Sequence, residues 1–198
     1  MIRVLMFALI PITLLWVPAE AGFGIDPVLS NVTGPSFPVT VVITPAGNGD
    51  VLEDLGATLT VVVLDLNGSP VVGLPRQDVW IDDPGDGSLR MCAGGAIADH
   101  DTDATGATTF TGALAGGGYS NEIRVFVSGL MLVGAPVAVQ IISPDYDASR
   151  RVDLSDVGEF TLDWSAGVAG RSDFVADGFL NLADVGRFAS AYGEVCGP

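Results

Sequence analysis

Short segments with β-strand patterns follow one another from residue 37 to residue 142. They are rich in Val, Ile, Thr and Phe, and turn residues such as those at 47–49 and 116–118 separate them. The predicted strands are 39–44, 58–66, 79–81, 108–114, 123–127 and 136–142. Short strands with Gly- and Pro-rich punctuation favour an all-β sandwich over residues 37–142. Residues 22–36 are rich in Gly, Pro and Ser and are predicted to form a linker.

The first residues of the chain follow a different pattern. Met1-Ile2-Arg3 precedes an apolar run over residues 4–17, and Pro18-Ala19-Glu20-Ala21 follows it. A basic start, a short apolar run and an Ala-x-Ala ending predict a secretory signal peptide, residues 1–21. The alternative is an uncleaved N-terminal anchor, but the run is short for a membrane span. We therefore expect an exported protein with no membrane segment after cleavage.

One pattern occurs twice near the end of the chain, beginning at Asp145 and again at Asp173. After each copy, apolar residues recur at the spacing of one helix face. These residues are Val157, Phe160 and Trp164 after the first copy, and Val185, Phe188 and Tyr192 after the second. The repeat predicts two short amphipathic helices that pack together in a small α-helical domain over residues 143–198.

Each copy also has the spacing of a twelve-residue calcium loop, which supplies oxygen ligands from positions 1, 3, 5, 7, 9 and 12. In the first loop these are Asp145, Asp147, Ser149, the carbonyl of Arg151, Asp153 and Asp156. In the second they are Asp173, Asp177, the carbonyl of Phe179, Asn181 and Asp184, because Val175 has no side-chain oxygen at position 3. We expect two calcium ions, bound more tightly by the first loop, which has more carboxylates. The alternative is that acidic turns recur by chance in an acidic protein.

Further loop positions bear on folding. Arg150 occupies position 6, where glycine is favoured, at a cost on the order of 1 kcal/mol. The second loop has Gly178 there. Position 8 is apolar in both copies, Val152 and Leu180, and is predicted to form a short strand through which the loops contact each other. A domain of about 55 residues often needs a staple, so we expect this one to fold on metal binding.

Charge and cysteine content narrow the possible functions. The net charge is −16, and the chain contains no lysine. Such a balance argues against binding to nucleic acid and to anionic lipid. Cys92 and Cys196 are either a disulfide or two unrelated thiols. A disulfide would be worth roughly 4 to 5 kcal/mol in the chain-entropy model.

Other catalytic chemistry finds little support in the sequence. His100 is the single histidine and lies in an acidic turn with Asp99, Asp101 and Asp103. This cluster, and that of Asp82, Asp83 and Asp86, is interpreted as solvated, with a further cation site as the alternative. The chain has neither a nucleophile-elbow motif nor a Cys-x-x-Cys or histidine cluster. We therefore expect a protein that is not an enzyme, with a carbohydrate-binding or hydrolytic sandwich as a minor alternative.

Two resemblances follow from these motifs. The turn-and-strand segments 63–75 and 102–110 resemble invasin/intimin-type bacterial immunoglobulin-like domains, which implies a spacer or binding module. The tandem loops, each with Asp at position 12 and one following helix, resemble a dockerin domain over residues 143–193. That resemblance implies two calcium ions and a cohesin partner, as in polysaccharide-degrading assemblies. Positions 10 and 11, often Ser/Thr in dockerins, are Leu154-Ser155 and Leu182-Ala183 here, which leaves the partner open.

Taken together, the sequence predicts a secreted bacterial protein with an all-β immunoglobulin-like sandwich and a small α-helical dockerin-like domain with two EF-hand-type calcium loops. The expected function is calcium-dependent protein–protein association. The alternative is a calcium-rigidified structural or adhesive cell-surface protein without a cohesin partner.

Overall fold

The computed structural model describes residues 24–83, 88–134 and 137–197. The predicted signal peptide, residues 1–21, lies outside the described residues. The described chain is mostly β-structure, with two α-helices near its end. The strands are β1 Asn31–Thr33, β2 Val39–Val42, β3 Leu59–Val62, β4 Val79–Asp82, β5 Arg90–Met91, β6 Ala107–Phe110, β7 Gly116–Gly117, β8 Arg124–Val127, β9 Leu130–Met131 and β10 Val139–Ile142. The helices are α1 Leu154–Ala166 and α2 Leu182–Ala191, and 3-10 turns cover Arg76–Asp78 and Gly170–Ser172.

The strands pair in four small sheets. Strand β3 lies between β1 and β6, and β8 lies between β4 and β9, all antiparallel. The third sheet is an antiparallel pair of β5 and β7. The fourth sheet is a parallel pair, in which β2 lies beside β10 with Val39 opposite Val139. Each of the six predicted strand segments overlaps an observed strand, so the β-strand content predicted for residues 37–142 is confirmed.

A large buried cluster draws its side chains from several of these sheets. Along β3 the buried residues Leu59 and Val61 alternate with partly exposed ones, and β4 repeats this pattern with Val79 and Ile81. Such alternation is typical of strands that cover a core with one face. These side chains belong to one buried cluster that also includes Phe110 of β6.

The segment predicted as a linker contributes a strand of its own. Asn31–Thr33 pairs with β3, and Ile25 is buried opposite Asp65. The physical reason is that β3 has a free edge on this side, and the backbone groups of β1 satisfy it. Residues 24–33 therefore pack against the strand-rich part of the chain.

The two helices pack through equivalent aromatic residues. Phe160 of α1 and Phe188 of α2 are buried and stacked, with ring centroids 5.0 Å apart. The buried face of each helix is narrower than the sequence predicted, because Trp164 is 41% exposed and Tyr192 is 49% exposed. Gly167 directly follows α1, and its φ of 66° forms a left-handed cap.

The helical part of the chain packs directly on the strands. Val42 of β2 and Ile142 of β10 share a second buried cluster with Phe160, Phe174 and Phe188. Polar contacts and a disulfide also join the helical part of the chain to the strand-rich part. The polar contacts are Arg187 with Asp50, and Glu194 with the Ala46 N–H (3.3 Å) and with Asn48 Nδ2 (3.1 Å). The disulfide joins Cys92 to Cys196. Among the described residues, no helix has the length and apolarity that crossing a bilayer requires.

Candidate metal centre

The two loops share one backbone conformation. Positions 4 and 6 have positive φ in both copies: Ala148 (55°) and Arg150 (69°) in the first, Ala176 (57°) and Gly178 (84°) in the second. This left-handed region is unfavourable for residues with a Cβ atom. Both loops nevertheless adopt it at the same two positions, which indicates that their side-chain contacts hold the backbone in place.

The position-1 carboxylates close the loops. Asp145 accepts hydrogen bonds from the N–H of Ser149 (3.0 Å) and of Arg150 (2.8 Å), one on each oxygen. In the second loop, Asp173 accepts from positions 5 and 6 in the same way, at 3.1 and 2.8 Å. The carboxylate at position 1 therefore holds the left-handed turn at Arg150 that the sequence identified as unfavourable.

The position-12 carboxylate of the first loop joins the loop to α1. Asp156 accepts hydrogen bonds from the N–H of Tyr146 (2.7 Å) and of Asp153 (2.8 Å). Asp153 caps the helix in turn, because its carboxylate accepts from the N–H of Ser155 (2.9 Å). The helix thus begins at position 10 because positions 9 and 12 form a reciprocal capping box.

The second loop repeats this arrangement at α2. Asp184 accepts from the N–H of Val175 (3.0 Å) and of Asn181 (2.8 Å). Asn181 caps the helix by accepting from the N–H of Ala183 (2.8 Å). The matching bonds in both loops make their resemblance structural as well as sequential.

Three carboxylates meet in the first loop. One oxygen each of Asp145, Asp147 and Asp156 lies within 4.8 Å of the others. Asp145 and Asp156 are fully buried, whereas Asp147 is exposed. Burial, together with the charge of Asp156, raises the pKa of Asp145 to about 6, and burial also raises the pKa of Asp156. Clustered carboxylates of this kind favour either a proton or a cation between them.

The remaining candidate ligands of the first loop adjoin this cluster. Ser149 Oγ donates to the Arg151 carbonyl (3.1 Å) and lies 3.4 Å from Asp145 Oδ1. Carboxylate, hydroxyl and carbonyl oxygens together form a donor set that suits a hard cation. Asp153, in its capping role, lies at position 9, where calcium loops often bind through water.

The second loop brings fewer carboxylates together than the first. In the part of the chain that the structure describes, the three-carboxylate arrangement occurs in the first loop only. Asn181 Nδ2 donates to Asp177 Oδ2 (3.0 Å) and to the Phe179 carbonyl (3.3 Å), two of the predicted ligand oxygens. Val175 at position 3 is exposed and contributes no oxygen. The predicted order of affinity agrees with this geometry and stays a prediction.

The predicted strand contact between the loops is wrong. Val152 at position 8 pairs instead with the C-terminal tail: its N–H donates to the Glu194 carbonyl (3.0 Å), and its carbonyl accepts from Gly193 (2.9 Å). Leu180, the equivalent residue, is packed at the edge of the helical core. The reason is that the tail already occupies the backbone groups that a partner loop would need.

A buried polar contact that the sequence did not reveal links the loops. Tyr146 lies 2.6 Å through its hydroxyl from Ser172 Oγ, and Ser172 donates to Asp163 Oδ2 (2.6 Å). Ser172 directly precedes Asp173, the first candidate ligand of the second loop. Arg171 lies over the Tyr146 ring at 4.8 Å. The one indication of this contact in the sequence is that position 2 of the first loop, Tyr146, has a hydroxyl group, whereas position 2 of the second loop is Phe174.

In the acidic cluster around His100, carboxylates accept hydrogen bonds from nearby threonines. Asp99 accepts from the hydroxyls of Thr109 (2.8 Å) and Thr111 (3.0 Å). Hydrogen bonds, first that from the Thr105 hydroxyl, lower the pKa of Asp103. His100 is exposed, with Nδ1 2.8 Å from the neighbouring carbonyl. Of the remaining predicted cluster, Asp86 lies outside the described residues.

No family model matches the sequence, and no curated protein matches it either. Among solved structures, a structure described as the Lin-41 filamin domain is similar at 16% sequence identity. The match covers 60% of this chain and 96% of that chain, with a TM-score of 0.31. A similarity of this strength supports no conclusion about fold or function.

Proposed function

We propose that this is an exported calcium-binding protein whose C-terminal module, residues 143–198, mediates calcium-dependent association with a protein partner. In this proposal residues 37–142 are an immunoglobulin-like sandwich that acts as spacer or cargo. The C-terminal module is dockerin-like, and its partner is a cohesin-type module, as in polysaccharide-degrading assemblies. The protein has no catalytic role of its own.

One observation carries the proposal: the carboxylate cluster of Asp145, Asp147 and Asp156 lies in a loop whose closure is repeated in a second copy, where position 1 again accepts from positions 5 and 6, and position 12 again accepts from position 9. Chance acidic turns give no reason for such a repeat. Calcium accepts six to eight oxygen ligands of mixed type, whereas magnesium prefers few protein ligands and several waters. The mixed donor set of the first loop therefore favours calcium.

Two exposed leucines support association with a protein. Leu154 and Leu182 are the first residues of α1 and α2, and they are 74% and 78% exposed. They occupy equivalent positions in the two copies. In this proposal both leucines belong to the surface that the partner covers. Both lie two residues before a calcium-ligand position, so the ion would hold them in place.

Calorimetric titration of the mature protein with calcium tests the metal assignment. We expect saturable binding in the wild type and loss of the tighter site in Asp145→Ala/Asp156→Ala. The variant Glu53→Ala/Asp54→Ala removes two exposed carboxylates outside the loops and is the charge-matched control. Equal binding by all three proteins would exclude the first loop as the site.

The partner is tested separately. Binding to immobilised cohesin modules is measured in calcium and in EDTA, with Leu154→Asp/Leu182→Asp as the variant. We expect binding in calcium only, lost in the leucine variant although that variant still binds calcium. Calcium binding without any cohesin binding would refute the cohesin assignment and leave the metal assignment in place.

A second function is favoured by the way the helical module packs. The ion pair between Arg187 and Asp50, the disulfide and the shared core hold it on the strands, as in a rigid structural unit. In this alternative, calcium stiffens a surface protein that has no cohesin partner. It predicts that calcium raises the melting temperature and the protease resistance of the whole chain, and that no cohesin binds.

A further inference from the structure

The C-terminal tail, residues 193–196, lies antiparallel against the first calcium loop. The pairing involves residues on both sides of the position-7 ligand. The hydrogen bonds join the Cys196 N–H to the Arg150 carbonyl (3.0 Å), the Val152 N–H to the Glu194 carbonyl (3.0 Å) and the Gly193 N–H to the Val152 carbonyl (2.9 Å). Three backbone hydrogen bonds therefore set the path of the loop where it must present a carbonyl to the ion.

The position-7 residue, Arg151, lies between these bonds. It is opposite Val195 in an isolated antiparallel bridge, and its carbonyl accepts from Ser149 Oγ. Because the tail pairs with the residues before and after Arg151, it fixes the direction in which that carbonyl points. In the described part of the second loop, no such tail accompanies Phe179, and the hydrogen bonds of its residues 173–181 stay within 172–185.

The disulfide fixes the far end of the tail. Cys196 is joined to Cys92, 104 positions earlier in the chain, with a Cα–Cα distance of 5.6 Å. Cys92 directly follows β5, and its N–H donates to the Ala115 carbonyl (2.9 Å), next to β7. The tail is thereby attached to the β5–β7 pair.

The same strand pair contacts the first loop from its other side. The N–H of Gly118 donates to the Asp145 carbonyl (2.6 Å). A Cβ atom on Gly117 would lie 2.9 Å from the Asp145 Cβ, with the carboxylate nearer still, so this approach requires glycine. The first loop is therefore held between β7 and the tail, and Cys92–Cys196 connects these two supports.

We propose that the Cys92–Cys196 disulfide positions the first calcium loop, so that the calcium affinity of this loop depends on the redox state of the cysteine pair. This inference rests on the proposed calcium binding and adds a regulation to it. Reduction by a dithiol breaks the S–S bond and delivers two electrons and two protons. Two cysteine thiols form, and the dithiol becomes a disulfide.

The physical reason is the ordering of the tail. With the disulfide intact, the tail is held in place before calcium arrives. After reduction the tail keeps only its hydrogen bonds to the loop and the contacts of Glu194 with Ala46 and Asn48, and a segment with fewer anchors opens more easily. Calcium must then order the tail as it binds, which weakens binding. By linkage, calcium must oppose reduction of the disulfide to the same extent.

The experiment follows each loop separately in the full mature chain. Amide NMR spectra are recorded during calcium titration of the oxidised protein, of the protein reduced with dithiothreitol, and of Cys92→Ala/Cys196→Ala. The Arg150 and Gly178 amides, both at position 6, report on the first and second loops. We expect the first loop to lose affinity on the order of tenfold without the disulfide, a usual size for coupling between linked sites, and the second loop to change far less.

Controls separate positioning from general stability. Arg187→Gln removes the ion pair with Asp50 without touching the tail, and we expect it to leave the affinity of the first loop unchanged. If the cysteine variant does not fold, the rate of reduction of the wild-type disulfide is measured in calcium and in magnesium. Slower reduction in calcium supports the inference, and equal rates overturn it.

The outcomes distinguish this inference from the proposed function. An oxidised wild type that binds no calcium overturns both. A wild type that binds calcium with the same affinity in the first loop before and after reduction overturns the inference alone. Equal weakening of both loops also overturns it, because that result indicates a general loss of stability.

Discussion

Replacing Tyr146 with Phe tests whether the two candidate calcium loops form one unit. Asp163 is a carboxylate and accepts the Ser172 hydroxyl proton (2.6 Å), so the Tyr146 hydroxyl donates to Ser172 Oγ (2.6 Å). Burial is the largest cause that raises the pKa of Tyr146, which keeps this hydroxyl protonated. The variant removes one buried donor and keeps the ring under Arg171.

The expected magnitude follows from these contacts. A buried hydrogen bond contributes about 1 kcal/mol, and a buried oxygen left with one partner fewer adds to the loss. Ser172 keeps its bond to Asp163, so we expect a loss of about 1 to 2 kcal/mol in the free energy of unfolding. For a chain of this size that corresponds to a fall in melting temperature of about 2 to 8 °C.

The assay is denaturant unfolding in EDTA, followed by calcium titration. Tyr119→Phe is the matched control, because that hydroxyl donates to Asn121 (2.6 Å) at an exposed site. We expect the control to lose less than about 0.5 kcal/mol. We also expect Tyr146→Phe to weaken the dependence of calcium binding at one loop on occupancy of the other. Equal stability losses in the two variants, with unchanged calcium binding, would refute the reasoning.

Three further predictions concern the loop, its protonation and the helical core. Gly117→Ala should lower the free energy of unfolding by about 1 to 3 kcal/mol and weaken calcium binding, because the new methyl group meets Asp145. Gly112→Ala is the control, because Gly112 has open space around it. Equal calcium affinities of the two variants would contradict the close approach. In EDTA, the free energy of unfolding should rise as the pH falls from about 7 to about 4.5. The reason is that folding raises the pKa of Asp145 to about 6, so the folded protein binds a proton that the unfolded chain does not bind in this interval. Calcium affinity should fall over the same interval, and a pH-independent affinity would contradict this prediction. Phe160→Ala should lower the free energy of unfolding, measured by thermal unfolding, by about 3 to 5 kcal/mol. Leu162 lies on the same helix and is 62% exposed, so Leu162→Ala should lower it far less. Similar losses in the two variants would show that the stacked pair is not the core of the module.

Local pattern predicted the elements whose cause is local. Leu59–Val62 lies within a predicted strand, and α1 and α2 begin where the capping residues Asp153 and Asn181 occur. The strand predicted over 58–66 is shorter in the structure, since Leu64 bridges Pro70 across a turn.

Elements whose cause is distant were not predictable in this way. Strand β1 lies in a segment rich in turn residues and exists because β3 offers it a free edge. Gly116–Gly117 has little tendency to form a strand and is extended because it pairs with β5.

The candidate site divides along the same line. Loop spacing predicted the cluster of Asp145, Asp147 and Asp156, since all three lie within twelve residues of one another. Spacing did not reveal the tail beside Val152 or the contact between Tyr146 and Ser172, because each joins segments more than 20 residues apart in the chain. Pairing of Cys92 with Cys196 was one of two alternatives, and the structure contains it.

The most direct test of the central claim is a crystal structure of the mature protein grown in calcium, with the ion identified by anomalous scattering. We expect a calcium ion in the first loop, with Asp145, Asp147, Asp156 and the Arg151 carbonyl at about 2.3 to 2.6 Å. A first loop closed only by its own hydrogen bonds at saturating calcium, with no ion among the three carboxylates, would contradict the account.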